Sequence, residues 1–140
     1  MPERYFVDTC IWRDFYENRL SKSGNPLGKY AAELFMKILK DNDKILFSES
    51  LVWELKKDYN NEEINEMLSL LFVNKVLFKV EITKEEHLEA KSLSFERGIP
   101  FADCLNAVQA RNNNAVIVSQ DEHFQELRDI AKIIKPQEIN

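Results

Sequence analysis

Three aspartates occupy positions where a carboxylate could do chemistry. Asp8 ends the first apolar run of the chain, and Asp121 comes three residues after a later one. Asp103 is the single charge between residues 101 and 110, in a chain of which 31% is charged. Each has an ordinary structural role, as a helix N-cap or as an acid in the first turn of a helix. Two acids placed at strand ends nevertheless indicate a carboxylate site more strongly than either does alone.

The chemistry of such a site follows from the repulsion between its charges. Carboxylates ~4 Å apart repel by about 4 kcal/mol at an effective dielectric near 20, so a cluster needs raised pKa values or bound cations. Because the ligands of such a site are carboxylate oxygens, we predict that the bound cation is Mg²⁺ or Mn²⁺. His87 and His123 lack the spacing of a zinc site, and we interpret both as surface or hydrogen-bonded histidines. A carboxylate-held ion with open positions suits the hydrolysis of phosphodiesters.

Strands and helices alternate along the chain. Apolar runs predict strands at residues 4–8, 44–47, 76–80, 115–118 and 131–134. Helical periodicity and capping signals predict helices at residues 9–20, 27–41, from 48 onward, 62–72, 83–97, 101–110 and 122–127. This alternation predicts an α/β fold of three layers, α/β/α, with a mostly parallel central sheet of about five strands. Ligands of such sheets bind beyond the carboxyl ends of the strands, where Asp8 and Asp121 lie.

Length and composition restrict the class of protein. The 140 residues predict a single domain over residues 1–140, and no apolar run approaches the ~20 residues of a membrane span. Cys10 and Cys104, two cysteines flanking acids of the site, are too few for a disulfide framework, and we interpret both as small buried hydrophobic residues. With no signal-peptide pattern at the start, the chain is predicted to be cytoplasmic.

The net charge of −5 argues against a partner held by bulk positive charge. A nucleic-acid substrate would need bound cations and a local basic patch. The candidates for such a patch, a basic rim around the site, are Arg13, Arg19, Lys22, Lys29, Arg97 and Arg111. For most of them the favoured interpretation is scattered surface charge that keeps the protein soluble.

Four motifs in order resemble the PIN-domain ribonucleases, including the VapC-type toxins of toxin–antitoxin pairs. They are Phe6-Val7-Asp8-Thr9, Ser48 with Val52-Trp53-Glu54-Leu55, residues 100–107 from Pro100 through Asp103 to Ala107, and residues 116–124 from Val116 through Asp121 to Phe124. The resemblance implies an acidic set around one or two Mg²⁺ or Mn²⁺ ions, formed by Asp8, Glu54, Asp103 and Asp121. It also implies three supporting polar residues, Thr9, Asn106 and Ser119. The position of Glu54, taken alone, favours its interpretation as a solvent-exposed helical acid that pairs with a lysine.

We therefore expect a metal-dependent endoribonuclease that hydrolyses RNA, with an antitoxin protein as the partner that the resemblance implies. One alternative is a PIN-like module that binds RNA or protein without cleaving it, which the loss of an acid would favour, and none is lost. A second is phosphotransfer on Asp8, but the segment Asp8-Thr9-Cys10 lacks the second aspartate of haloacid-dehalogenase-like domains, and no strand-end lysine completes a receiver-like site.

A homodimer is also expected. The resemblance supports it, and so does the aromatic content of the first two helices, which could exceed what one core can hide. The aromatic residues concerned are Trp12, Phe15, Tyr16, Tyr30 and Phe35.

Overall fold

A five-stranded parallel sheet lies at the centre of the protein, in a computed structural model that describes residues 2–139. Its strands are β1 (Arg4–Val7), β2 (Lys44–Phe47), β3 (Leu77–Lys79), β4 (Val116–Val118) and β5 (Ile133–Ile134). Their spatial order is β3-β2-β1-β4-β5, and each neighbouring pair is parallel. The predicted domain of residues 1–140 includes Met1 and Asn140, which lie outside the described residues.

Six α-helices and two short 3-10 helices connect or follow the strands within residues 2–139. They are α1 (Thr9–Glu17), α2 (Leu27–Asp41), α3 (Glu49–Leu55), α4 (Asn61–Val73), α5 (Lys84–Arg97), α6 (Phe101–Asn112) and the 3-10 helices Glu122–Leu127 and Pro136–Glu138. None of these helices combines the length and apolar character needed to cross a membrane.

Two hydrophobic cores, one on each face of the sheet, establish the three layers. Successive strand residues point to opposite faces, so Tyr5 and Val7 pack against α1 to α4 while Phe6 packs against α5 and α6. Both cores are built from buried aliphatic and aromatic side chains. The predicted α/β/α class is thus confirmed, and the sheet is wholly rather than mostly parallel.

The aromatic residues of α1 and α2 belong largely to the first core. Trp12 and Phe35 are buried with their ring centroids 4.8 Å apart, and Phe15 meets Phe35 edge-on at 5.0 Å. Tyr16 packs against the same core and stacks edge-on with Tyr59. Four of the five rings thus pack in or against one core, and the fifth, Tyr30, is half-buried outside it. The rings alone therefore do not decide whether the chain forms a homodimer.

The order of the strands fixes where a site can form. Strands β2 and β3 lie on one side of β1, and β4 and β5 lie on the other, so the direction of winding reverses between β1 and β4. Val7 is in register with Val118, and the Asp8 N–H donates to the Val118 carbonyl at 2.9 Å. Such a reversal opens a crevice at the carboxyl ends of the two strands.

Candidate metal centre

A cleft of about 340 Å³ at this crevice contains all four predicted acids. It is lined by Asp8, Thr9, Cys10, Arg13, Glu54, Lys57, Pro100, Ala102, Asp103, Asn106, Asp121 and His123. Two of the three predicted supporting residues, Thr9 and Asn106, are among them. The third, Ser119, is buried, with 2% of its surface exposed, and is hydrogen-bonded to one of the acids.

Asp8 is held in a fixed orientation at the junction of β1 and α1. It is 7% exposed, and its Oδ2 accepts hydrogen bonds from Ser119 Oγ at 2.7 Å and from Cys10 Sγ at 3.2 Å. Its Oδ1 accepts the Thr9 N–H at 2.9 Å. Burial raises the pKa of Asp8, these hydrogen bonds offset part of the rise, and the charge of Asp121 adds to it. Cys10 is half-buried and donates to an acid, so it is more than a small hydrophobic residue.

Ser119 joins the strand-end acids. Its Oγ donates to Asp8 and accepts the Asp121 N–H at 2.9 Å. Asp121 in turn caps the Glu122–Leu127 helix, since its Oδ1 accepts the His123 N–H at 2.9 Å. One buried hydroxyl thus couples the carboxylate that follows β1 to the backbone that follows β4.

Asp103 reaches the cleft from the first turn of α6. The turn before it is set by Gly98, which ends α5 in a left-handed conformation (φ 67°), and by a 2.6 Å hydrogen bond from Ser94 Oγ to the Ile99 carbonyl. Burial raises the pKa of Asp103 to about 7, and the nearby charges of Asp8 and Asp121 contribute to the rise. A raised pKa is the property expected of a carboxyl placed among other carboxylates.

His123 completes a group of three ligand-type atoms in the cleft. Asp103, Asp121 and His123 each offer one such atom, and these atoms all lie within 4.8 Å of one another. The His123 side chain is 63% exposed, as its interpretation as a surface histidine predicts, but that interpretation misses its place beside the acids. The available signal was the spacing Asp121-Glu122-His123 shortly after the strand that ends at Val118, because one tight turn brings both side chains to the same edge.

Glu54 lines the cleft from the last turn of α3 and also forms the lysine pair that its position favours. Its Oε1 lies 3.2 Å from Lys57 Nζ. Arg13 fixes this turn, since its Nη2 donates to the Glu54 carbonyl at 3.0 Å and lies 2.9 Å from Asp58 Oδ2. Glu54 and Asp8 both lie in the cleft but outside the group of three ligand atoms.

The basic rim is smaller than the candidate list. Of those six residues Arg13 lines the cleft, whereas Arg19, Arg97 and Arg111 pair with surface acids away from it. Lys57, which is not among the six candidates, lies in the cleft beside Glu54. The positive charge available to a phosphate at this site therefore comes from α1 and from the turn after α3.

The donor set fits a divalent cation. Four carboxylates with two cationic neighbours leave net negative charge in the cleft, and burial, together with the charges of the neighbouring acids, raises the pKa values of Asp8 and Asp103. A divalent cation would remove that cost, and carboxylate oxygens are its preferred ligands. Fold and site together define a parallel α/β protein with an acidic cleft at its topological switch point.

The particular family follows from the sequence. The PIN domain profile matches residues 5–130, so the chain belongs to the PIN domain family, whose members are generally nucleases. The predicted resemblance to this family is confirmed. Among curated proteins, none matches the chain.

Solved structures share the fold over nearly the whole chain. The VapBC2 complex of Rickettsia felis bound to a promoter DNA fragment matches with a TM-score of 0.65 and 18% identity, over 94% of this chain and 98% of that one. FitAcB of Neisseria gonorrhoeae matches with a TM-score of 0.59 and 19% identity, over 96% and 99%. A toxin–antitoxin complex of Klebsiella pneumoniae matches with a TM-score of 0.59 and 12% identity, over 96% and 97%.

Proposed function

We propose that this protein is a metal-dependent endoribonuclease that hydrolyses RNA phosphodiester bonds. Asp8, Glu54, Asp103 and Asp121 would hold one or two Mg²⁺ or Mn²⁺ ions and form the catalytic set. The observation that carries the proposal is their convergence: four acids from four separate segments of a PIN-family chain line one cleft.

On this proposal, the side chains of the cleft have different roles in the reaction. A divalent ion, when bound, supplies Lewis-acid activation of water and of the scissile phosphate. Asp103 and Asp121 present ligand oxygens to it, and Ser119 keeps the Asp8 carboxylate in one orientation. Arg13 and Lys57 offer positive charge to the phosphates of RNA. Thr9 and Asn106 add hydrogen-bonding groups to the cleft wall.

We further propose that the nuclease is the toxin of a toxin–antitoxin pair, with an antitoxin protein as its partner. The support is that structures sharing its fold include toxin–antitoxin complexes. On this proposal the chain acts in the cytoplasm, as one domain over residues 1–140, on single-stranded or structured RNA. A homodimer is proposed on the family resemblance.

The test is cleavage of a mixed RNA pool by the purified chain, with Mn²⁺, with Mg²⁺ or with a chelator. We expect metal-dependent cleavage by the parent and a loss of orders of magnitude in Asp103→Asn, which keeps the shape of the side chain but removes its charge. Asp41→Asn is the matched control. Asp41 is the last residue of α2, just before β2 and hence at the opposite edge of the sheet, and its variant should cleave like the parent.

Thermal melts test the metal site independently of activity. A ligand that binds the folded state alone stabilises it by about 2.7 kcal/mol at a hundredfold excess over its dissociation constant. Melts with and without Mn²⁺ that superimpose would contradict the site. RNA binding without cleavage in either metal would instead favour the non-cleaving module.

A further inference from the structure

We propose that His123 is a ligand of the ion held by Asp103 and Asp121, so that the centre prefers a divalent transition-metal ion to Mg²⁺. This inference rests on the proposed function, because it concerns the same cleft. It adds a nitrogen ligand to a set otherwise composed of carboxylates. It also specifies which of the ions in that proposal the site selects.

The distances suit one shared ion. Ligands about 2.1 Å from a common ion lie roughly 3 Å apart when adjacent and roughly 4.2 Å apart when opposite. His123 Nδ1 and Asp121 Oδ1 are 3.4 Å apart, and the ligand atoms of Asp103, Asp121 and His123 all lie within 4.8 Å. Small side-chain rotations are therefore enough to close the set.

The backbone keeps two of the three residues together. The His123 N–H donates to Asp121 Oδ1, and the Asp121 N–H donates to Ser119 Oγ, both at 2.9 Å. Phe124, the next residue, is completely buried and anchors the turn in the second core. Asp103 approaches from α6, so the third ligand comes from an independent element.

Selectivity follows from the type of donor atom. Mg²⁺ takes oxygen ligands and gives up its waters reluctantly, whereas imidazole suits transition-metal ions, whose affinity for nitrogen-containing sites rises along the first row. The competing explanation is an ordinary ion pair between the His123 imidazolium and Asp121. That pair would leave the choice of metal unchanged, so the two explanations predict different behaviour.

The chain has two histidines, which makes a nitrogen signal from bound metal assignable. We would load the chain, prepared without a histidine tag, with Mn²⁺ and record its pulsed electron paramagnetic resonance spectrum. We expect ¹⁴N coupling from imidazole in the parent and in His87→Asn, and its loss in His123→Asn. His87 is the control because it lies on α5, with its ring beside Phe101 and outside the cleft lining.

Calorimetric titration measures the selectivity. In His123→Asn the dissociation constant for Mn²⁺ should rise at least about tenfold, while that for Mg²⁺ should change less than about twofold. His123→Gln provides a second variant should the first fail to fold. Persistent ¹⁴N coupling, or an unchanged ratio of the two affinities, would overturn the inference and leave the proposed function standing. A parent chain that binds neither ion and cleaves no RNA would overturn the proposed function itself.

Discussion

Asp103 is the acid whose ionisation conflicts most clearly with its surroundings. In the metal-free protein its charge meets those of Asp8 and Asp121, so Asp103→Asn should leave the free energy of unfolding equal to or higher than that of the parent. An ordinary first-turn helix acid would instead lose a few tenths of a kcal/mol to ~1 kcal/mol. Urea denaturation with chelator present measures the difference. Asp41→Asn should change the free energy of unfolding little, because the i,i+4 pair with Lys37 that it breaks is solvent-exposed.

The raised pKa of Asp103 also predicts how stability depends on pH. Between its ordinary value of 3.8 and about 7, the folded state keeps a proton that the unfolded chain has released. Its contribution to stability is therefore present at low pH and is lost as the pH rises through this window. Solvent screening makes the slope shallower than the full shift implies, since Asp103 is only partly buried.

The measurement is the unfolding free energy of metal-free protein at about pH 5 and about pH 7.5. The parent should lose more stability between the two than Asp103→Asn does. With excess Mn²⁺ the trend should reverse, because carboxylate ligands must be deprotonated to bind metal. Identical pH profiles for parent and variant would contradict the raised pKa.

Ser119 is predicted to support the site by orienting Asp8, without itself binding the metal ion. Ser119→Ala deprives the buried Asp8 carboxylate of its 2.7 Å hydrogen bond, so we expect a loss of about 1–3 kcal/mol in unfolding free energy. Cleavage should also fall, since Asp8 is no longer held in one orientation. Denaturation and cleavage assays would be compared with Ser69→Ala, which removes an exposed hydroxyl on α4. Parent-like stability and activity in Ser119→Ala would refute this role.

The residue-level predictions differ in what the sequence could supply. Asp8 and Asp121 could be selected because a strand pattern ends at or just before them. Glu54 could be selected only through the family resemblance, because its helical position is equally typical of the lysine pair that it does form. The hydrogen bond between Ser119 and Asp8 joins residues 111 apart, so it depends on which strands pair, and periodicity carries no information on that.

At the scale of elements, close packing at the junction of α1 and α2 gives a testable prediction. A Cβ built on Gly28 would lie 2.5 Å from Asn18 Oδ1 and 2.6 Å from Asn18 Cα. Gly28→Ala should therefore destabilise the protein by about 1–3 kcal/mol, because the clash with backbone outweighs the helix preference of alanine. Urea midpoints measure this, with Lys29→Ala as the exposed control one residue on. An unchanged midpoint in Gly28→Ala would show that the two helices can separate freely.

The bounds of the elements show what hydrophobic periodicity can and cannot predict. The bounds of α2 and β2 match their predictions to the residue, because apolar spacing and flanking polar residues both end there. Helix α1 ends at Glu17 rather than Leu20, since Asn18 takes a left-handed conformation (φ 51°). The predicted final strand shortens to Ile133–Ile134, and the predicted helix at 122–127 is a 3-10 helix.

For the whole molecule, we predict that a homodimer forms through an exposed apolar face of α5. Leu88 and Phe95 on α5 are 55% and 93% exposed, and their spacing puts them on one face of the helix. A two-fold axis would pack this face against itself. Sedimentation at micromolar concentration should show a dimer for the parent and a monomer for Phe95→Ser. The control Phe72→Ser, exposed on α4, should stay dimeric, and a monomeric parent would remove the homodimer.

The architecture as a whole was predictable to the level of class. Alternating helices and strands require a covered parallel sheet, and that requirement is met here. The position of β4 beside β1 was not predictable in the same way. Alternation does not determine which strands are neighbours, and it is the pairing of Val7 with Val118 that brings Asp8 and Asp121 to the same edge.

The pairing of β1 with β4 also determines when the cleft comes into existence. During synthesis, Asp8 leaves the ribosome long before β4, Ser119 and Asp121, which follow more than a hundred residues later. Until then the nascent chain has an incomplete acidic set and no second strand end on that side of β1. On the proposed function, the chain therefore cannot hydrolyse RNA until β4 has been synthesised and has paired with β1. The connection of the strands thus imposes a delay between the start of translation and the first possible cut.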